Sequence, residues 1–334
     1  MKTRKLGNIE VSEIGIGCMG FSHGYGEIPT EEYSIEAIQK AYDFGCTFFD
    51  TAEGYGAQLY GAGHNEKILG KAVKEIRDKV VLATKFHFMN NAPQGKANIE
   101  NFMKEHLRQS LENLQTDYVD VYYLHRVNRD VSVEIVAEIM GGFIKAGLIR
   151  GWGMSQVGAD TLAKAHKVTP VSAVQNLYNM LERDCEKEVL PFCMENNIGV
   201  VPFSPVASGF LSGKVTAKTD FSHVDDVRKF VPQLSRENIE ANQPLLDLLK
   251  EYAEQKEATN AQIALAWMLH KYPNVIPIPG SKNQERILEN LGACRVKLSK
   301  EEFEALEGAL DNIEIHGHRG QVEYDGMTMK EWKR

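Results

Sequence analysis

Three times before residue 126, an apolar run of strand length ends on an ionisable side chain. Thr47-Phe48-Phe49 runs into Asp50, Val80-Val81-Leu82-Ala83-Thr84 into Lys85, and Val119-Asp120-Val121-Tyr122-Tyr123-Leu124 into His125. Runs this short and this apolar suit strands buried on both faces, as in parallel sheets. The C-terminal edge of such a sheet is where ligands and chemistry gather. The first run continues into Thr51-Ala52-Glu53-Gly54-Tyr55-Gly56, which sets a tyrosine just beyond the carboxylate.

The rest of the chain repeats the strand–helix unit. After an N-terminal hairpin (Lys2–Lys5 and Glu10–Ser12), strands are predicted at Glu13–Gly17, Thr47–Asp50, Val80–Lys85, Tyr118–His125, Ile149–Met154, Ser172–Gln175, Ile198–Phe203 and Val275–Ile278. Helices are predicted at Glu31–Phe44, Asn65–Ile76, Ile99–Leu114, Val133–Ala146, Ala159–His166, Glu186–Asn196 and Asn283–Leu291. A further helical stretch, Asn238–His270, breaks near Ala258-Thr259, and Lys300–Leu310 adds a C-terminal helix. No Pro/Ser-rich linker cuts the 334 residues, so residues 1–334 are expected to form one domain. Eight strands alternating with helices close most simply into a single (β/α)8 TIM barrel. An open doubly wound sheet is the alternative. The irregular stretch Ser212–Arg236 is long enough to be a lid or a cofactor clamp.

Composition narrows the function. Thirty-eight basic against 46 acidic residues leave a formal charge of −8, which argues against nucleic acid or an anionic membrane as partner. Cys18, Cys46, Cys185, Cys193 and Cys294 show neither CxxC nor Cys/His spacing, so no zinc site or disulfide framework is expected. Cys185 and Cys193 read as semi-buried thiols. No apolar run reaches the roughly 18 residues of a spanning helix, and a cytoplasmic location is the expectation. Gly15-Ile16-Gly17-Cys18-Met19-Gly20 matches the dinucleotide fingerprint GxGxxG, but no helix opens directly after it, so the match is set aside. His87 lacks a HxH or HxxxH partner and reads as a pocket-lining residue, with no metal expected.

Asp50, Lys85 and His125 would converge on one barrel mouth. A buried lysine keeps its proton only beside a counter-charge, which Asp50 supplies. The cation should in turn lower the Tyr55 phenol below its usual ~10. Tyr55 would then act as acid toward a carbonyl oxygen gathering charge, with His125 donating a hydrogen bond to the same atom. These groups polarise a carbonyl but bring no electron pair, so a hydride-donating nicotinamide cofactor is implied.

Several motifs carry a resemblance over nearly the whole length: Phe49-Asp50-Thr51-Ala52-Glu53-Gly54-Tyr55-Gly56, Thr84-Lys85-Phe86, Leu124-His125-Arg126, Val174-Gln175-Asn176, Pro202-Phe203-Ser204-Pro205, Gly209-Phe210-Leu211-Ser212-Gly213-Lys214 and Pro277-Ile278-Pro279-Gly280-Ser281-Lys282. The sequence resembles the aldo-keto reductase superfamily, and Asp226-Val227-Arg228 before Pro232 looks more like its bacterial and plant branches. The resemblance implies NADPH as cofactor, small carbonyl compounds as substrates, and a tetrad of Asp50, Tyr55, Lys85 and His125. It places Ser155, Gln156 and Gln175 at the nicotinamide carboxamide and Phe203 against its ring. Ser204 through Lys214 would follow the pyrophosphate; Gly280, Ser281, Lys282, Arg286, Glu289 and Asn290 would hold the adenosine phosphate. Gln156, Gln233-Leu234 and the tail His316-Gly317-His318-Arg319-Gly320-Gln321 depart from the family pattern.

Lys282 and Arg286, four apart, are expected on one face of a helix N-terminus whose free N–H groups favour an anion, hence NADPH over NADH. Met19, Phe21, Tyr25, Phe86, Phe88 and Met89 read as an apolar mouth for aldehydes, ketones or quinones. Two other functions stay open: a Schiff-base aldolase or lyase working through Lys85, and a redox-sensing regulatory subunit, since potassium-channel β subunits share this fold and tetrad. Oligomeric state is left open.

Overall fold

Alternation along the strands decides which side chains face the barrel axis. The computed structural model describes residues 1–88, 92–320 and 323–327. A hairpin of β1 (Thr3–Leu6) and β2 (Ile9–Ser12) precedes the barrel and plugs its floor with Leu6, Ile9 and Val11. Then follow β3 (Ile16–Gly17), α1 (Glu31–Asp43), β4 (Phe48–Asp50), a short helix α2 (Ala57–Tyr60), α3 (His64–Val73), β5 (Val81–Phe86), α4 (Lys96–Leu114) and β6 (Val119–Leu124). Next come α5 (Val133–Lys145), β7 (Ile149–Ser155), α6 (Ala159–Val168), β8 (Ala173–Gln175), α7 (Val189–Glu195) and β9 (Gly199–Val200). The chain continues with α8 (Arg236–Ala241), α9 (Gln243–Gln255), α10 (Asn260–Lys271), α11 (Gln284–Leu291) and α12 (Lys300–Asp311).

Strands β3 to β9 lie parallel in sequential order. The expected eighth strand, Val275–Ile278, is not a regular strand, because Pro277 and Pro279 lack the N–H groups a ladder needs. It nevertheless closes the barrel. The Ile276 N–H donates to Val200 O (2.7 Å), Ile278 N–H to Pro202 O (3.2 Å), and Gly15 N–H to Pro277 O (3.0 Å). Pro202 likewise stops β9 short of the expected Phe203. The expected helix Asn238–His270 resolves into α8, α9 and α10, the last opened by a Thr259–Gln262 capping box at the anticipated break. The segment expected as one helix from Glu186 begins as a separate turn, and α7 starts at Val189. Cys185 and Cys193 are fully buried rather than semi-buried.

Two cores follow from strand parity. Phe48, Val81, Ala83, Val121, Tyr123 and Ala173 point into the barrel, while Phe49, Leu82, Tyr122 and Leu124 pack outward against helices. Gly153 makes room for an inward ring: a Cβ there would stand 2.4 Å from Tyr123. The inward set continues upward to Asp50, Lys85 and His125, two residues beyond Phe48, Ala83 and Tyr123. The pattern that fills the barrel thus also aims three polar side chains at its mouth.

Candidate active site

Lys85 is fully buried, and its ammonium is completely committed. Nζ donates to Asp50 Oδ1, to Thr51 O (2.6 Å) and to the Tyr55 hydroxyl (3.2 Å). The second Asp50 oxygen accepts from Gln175 Nε2 at 2.8 Å. The loop after β4 is fixed by ladder-like bonds, Thr51 N–H to Ala83 O (2.8 Å) and Glu53 N–H to Lys85 O (3.2 Å). Gly56, at φ 78°, then reverses the chain directly after Tyr55. The His125 ring meets Tyr55 edge-on at 5.8 Å, and the His23 ring lies tilted to it at 5.7 Å.

Burial works to lower the Lys85 proton affinity, but Asp50 and Tyr55 outweigh it and hold the lysine protonated. Burial also works to raise Asp50, against the donors Lys85 and Gln175. The expectation of a lowered Tyr55 is overturned. Burial pushes the phenol above its ordinary value, Lys85 pulls it down without prevailing, and Asp50 pushes it up. Tyr55 is therefore a firm proton holder. Burial, with Arg126, Lys85, His87 and His23 around it, drives His125 well below the usual imidazole value, so it is neutral. A neutral imidazole donates from one nitrogen only.

A cleft with a cavity volume of about 190 Å³ leaves the barrel rim at Ser204 and Gly280 and ends at Glu289 and Asn290. Ser204, Ala207 and Ser208 along it all take left-handed φ (50°, 47°, 55°), the kind of strain that persists at functional sites. Lys214, at its edge, pairs with Glu289 at 3.0 Å. Lys282 Nζ donates to the carbonyls of Tyr25 (2.9 Å) and Glu27. Arg286 also lines the cleft, and its guanidinium finds no partner among the described residues.

Two parts of the expected anion site are corrected. Lys282 precedes the cap residue Asn283 and is not on α11. Three of the N–H groups at this helix start are already occupied: Asn283 N–H by Ser281 Oγ (3.1 Å), Gln284 N–H by Tyr33 Oη (3.1 Å), Arg286 N–H by Asn283 Oδ1 (2.9 Å). Cationic side chains add to what the backbone offers an anion here.

Within the irregular Ser212–Arg236 connection, Val227 N–H donates to Gly24 O (3.0 Å) and Gly26 N–H to Asp225 O (3.2 Å). Arg228 grips Asp226 through Nε and Nη2 and lies 5.4 Å from the Tyr25 ring centroid. This connection is thereby zipped to the loop after β3, beside the cleft.

Comparison with known proteins decides the family. The model of the Aldo/keto reductase family matches residues 13–311. The chain belongs to the Aldo/keto reductase family. It is similar to the probable aldo-keto reductase 1 of Glycine max, at 34% identity over 98% of this chain and 94% of that one. It is 35% identical to the aldo-keto reductase yakc [NADP(+)] of Schizosaccharomyces pombe, over 95% of this chain and 94% of that one. The crystal structure of an aldo/keto reductase from Klebsiella pneumoniae in complex with NADP and acetate superposes with a TM-score of 0.71 at 26% identity. That match covers 97% of this chain and 100% of the other.

The mouth of this aldo/keto reductase is not the apolar one expected. Phe21, Phe86 and Phe88 are buried in the outer core; Phe86 stacks on Tyr122, and Phe88 packs on Phe102 of α4. Strand parity explains the last two: Phe86 and Phe88 alternate with the inward-facing Lys85, so they point to the helices. Met19 is half-buried, with its methyl near Gly24, and Tyr25 lines the rim cleft instead. Met89 and Gln321 lie outside the described residues.

The Tyr55–His125 pair is instead ringed by His23, His87 and Arg126. Arg126 Nη1 donates to His125 O (2.5 Å) and Ser155 Oγ (2.9 Å), and its Cζ lies 5.9 Å from the Phe203 ring. In the sequence Arg126 stands out only as part of Leu124-His125-Arg126, and its place directly after a strand-end histidine is the signal that sets it at the mouth.

The tail crosses this mouth. Gln156, in a left-handed conformation, accepts from Leu177 N–H (2.7 Å) with its side chain and from Asp325 N–H (2.9 Å) with its carbonyl. Its amide also donates to Glu323 O (3.3 Å), so its side chain serves loop and tail. Gln233 donates to Glu182 Oε1 (2.9 Å) and, through its backbone, to His318 O (3.1 Å). Two departures from the family pattern, Gln156 and Gln233, thus hold a third, the tail.

Proposed function

We propose that this protein is an NADPH-dependent carbonyl reductase in which Tyr55 protonates the nascent alcohol oxygen, with residues 1–334 acting as one unit. One observation carries the reading: the fully committed Lys85–Asp50 pair lies against the Tyr55 hydroxyl, with the His125 ring edge-on to Tyr55, at the end of a cationic cleft. The donor set of that cleft fits a nucleotide with an extra phosphate. Lys282 and Arg286 would hold the 2′-phosphate, Arg as a fork and Lys as a point charge. Glu289 and Asn290 would flank the adenine, Ser204 and Lys214 the pyrophosphate, and Phe203 with Ser155 the nicotinamide. When bound, the cofactor supplies the hydride. Tyr55 and His125 orient the carbonyl oxygen, and Lys85 keeps positive charge beneath the phenol as its proton leaves. In the resolved network Gln175 steadies Asp50, which complements its expected contact with the carboxamide.

The substrate class proposed is aldehydes and ketones, reduced to alcohols, with quinones, reduced to hydroquinones, as a further class to test. Five free cysteines fit a reducing, cytoplasmic setting. Among the described residues, no helix is long and apolar enough to cross a membrane. The aldolase reading is disfavoured because a lysine held protonated by three acceptors is a poor imine-forming nucleophile. Following NADPH absorbance across a panel of aldehydes, ketones and quinones tests the proposal. Turnover of several aldehydes is expected, with no borohydride-trapped adduct on Lys85. No turnover with any carbonyl, or a trapped adduct, would overturn it.

A further inference from the structure

Two guanidinium groups flank the Phe203-Ser204 dipeptide at the barrel mouth. Arg126 reaches it from the end of β6, with Cζ 5.9 Å from the Phe203 ring, and Arg319 reaches it from the tail, with Nε 3.5 Å from Ser204 Oγ. Each is half-buried, and among the described residues neither has a carboxylate within ion-pairing distance. Arg126 uses only Nη1, on His125 O and Ser155 Oγ, so Nε and Nη2 have no acceptor there. The carboxylates nearby do not neutralise the pair. Glu323 is exposed and acts on Arg126 only at a distance; Glu182 is buried and receives the Arg319 backbone N–H (2.6 Å) and Gln233. Two like charges in a partly dry cleft repel one another, and burial already weighs against Arg126 keeping its proton. Guanidinium forks left open in this way match a planar carboxylate.

We infer that the mouth selects carbonyl substrates bearing a carboxylate, held by the free edge of Arg126 and reinforced by Arg319. The inference rests on the reductase reading and narrows its substrate class from any small carbonyl to oxo acids and carboxy-aldehydes. The three imidazoles around Tyr55 do not compete for that carboxylate as cations. Burial lowers the proton affinity of His23 and His87, as it does that of His125. The same open charges could instead serve a phosphate of the cofactor, because Ser204 also borders the nucleotide cleft. The test separates the two.

4-Carboxybenzaldehyde and its methyl ester present the same aldehyde with and without the charge. In the wild-type enzyme, kcat/KM for the acid should exceed that for the ester by about tenfold or more, the scale of one charge-assisted hydrogen bond. Arg126→Met should bring the ratio near one, Arg319→Met should reduce it partly, and Arg126→Lys should restore part of it. The NADPH Kd, read by fluorescence, should stay unchanged in all three. Benzoate titrated calorimetrically into the NADP⁺-loaded protein should bind in wild type and not in Arg126→Met, a readout that needs no turnover. Reduction of the ester alone supports the reductase reading while removing this inference. Equal acid and ester efficiencies in wild type would overturn it. So would an unchanged ratio in Arg126→Met, or a weakened NADPH Kd without substrate-charge dependence.

Discussion

The Lys85–Asp50 centre and the cleft from Ser204 to Asn290 share one barrel rim but are built on opposite plans. Around Lys85 every strong donor is spent before any ligand arrives: the ammonium has three acceptors and Asp50 has two donors. The groups come from strand ends whose positions the barrel packing dictates. In the cleft, Arg286 stands open among the described residues, Lys282 leans on loop carbonyls, and Lys214 rests against Glu289. Those groups come from loops and helix ends and are free to change partners. A proton-transfer centre needs fixed geometry, whereas a nucleotide must enter and leave. The difference predicts that damage to the first is structural and catalytic together, while damage to the second is a matter of affinity.

Lys85→Met should break the comparison hardest. It leaves Asp50 as a buried charge with only Gln175 beside it, so carbonyl reduction should vanish. Urea denaturation should show a loss of about 3–5 kcal/mol, the cost of breaking a buried pair. A variant as stable as wild type would mean the pair is not the structural knot described. Arg286→Glu is the counterpart in the cleft. The KM for NADPH should rise by roughly ten- to a hundredfold through lost and reversed phosphate contacts. Stability, kcat and the KM for NADH should hardly move; equal effects on the two cofactors would remove Arg286 from the phosphate site.

What was legible in the sequence divides along the same line. The strand-end residues Asp50, Lys85 and His125 could be placed because period-two alternation and a run's end are local properties. The same parity, applied to Phe86 and Phe88, would have sent them outward. Hydrophobicity and nearness to Lys85 alone do not separate a mouth residue from an outward-facing one. Val275–Ile278 reads as an extended apolar run, but Pro277 within it and Pro279 just after it make it pair irregularly. The direction of the Tyr55 shift is not legible in the sequence: strand-end parity brings Lys85 to it, whereas the burial that outweighs Lys85 arises from the whole packed mouth. The contacts of Gln156 and Gln233 with the tail join residues some eighty or more positions apart, and no local pattern encodes them.

Smaller effects sharpen the account. With Tyr55 held above its ordinary ~10, the acid form persists through neutrality, so kcat for reduction should stay level over roughly pH 6–9 and fall only beyond that. Alcohol oxidation, which needs the phenolate as base, should climb across the same range. A reduction profile already falling near pH 7 would contradict the burial-dominated phenol.

The smallest effect concerns Glu66, which is fully buried and, among the described residues, takes its hydrogen bonds from neutral donors such as Thr84 (2.6 Å) and Asn113 (2.9 Å). Burial raises its carboxyl. A raised carboxyl favours folding below its unfolded value, ~4.3, and that contribution is lost as pH rises through the folded value. Glu66→Gln should therefore gain on the order of 1 kcal/mol at pH 7 and almost nothing near pH 4. Thermal melts at the two pH values check it, and a variant less stable at pH 7 would refute it.

The most direct test of the central claim is single-turnover reduction of an aldehyde by Tyr55→Phe, with NADPH Kd measured on the same preparation. The variant removes one hydroxyl above the Lys85–Asp50 pair and leaves the cleft from Ser204 to Asn290 intact. The chemical step should slow by at least ~100-fold, the scale of a positioned general acid, with NADPH Kd unchanged. A chemical step near the wild-type rate would contradict the account, because another group would then be protonating the alkoxide.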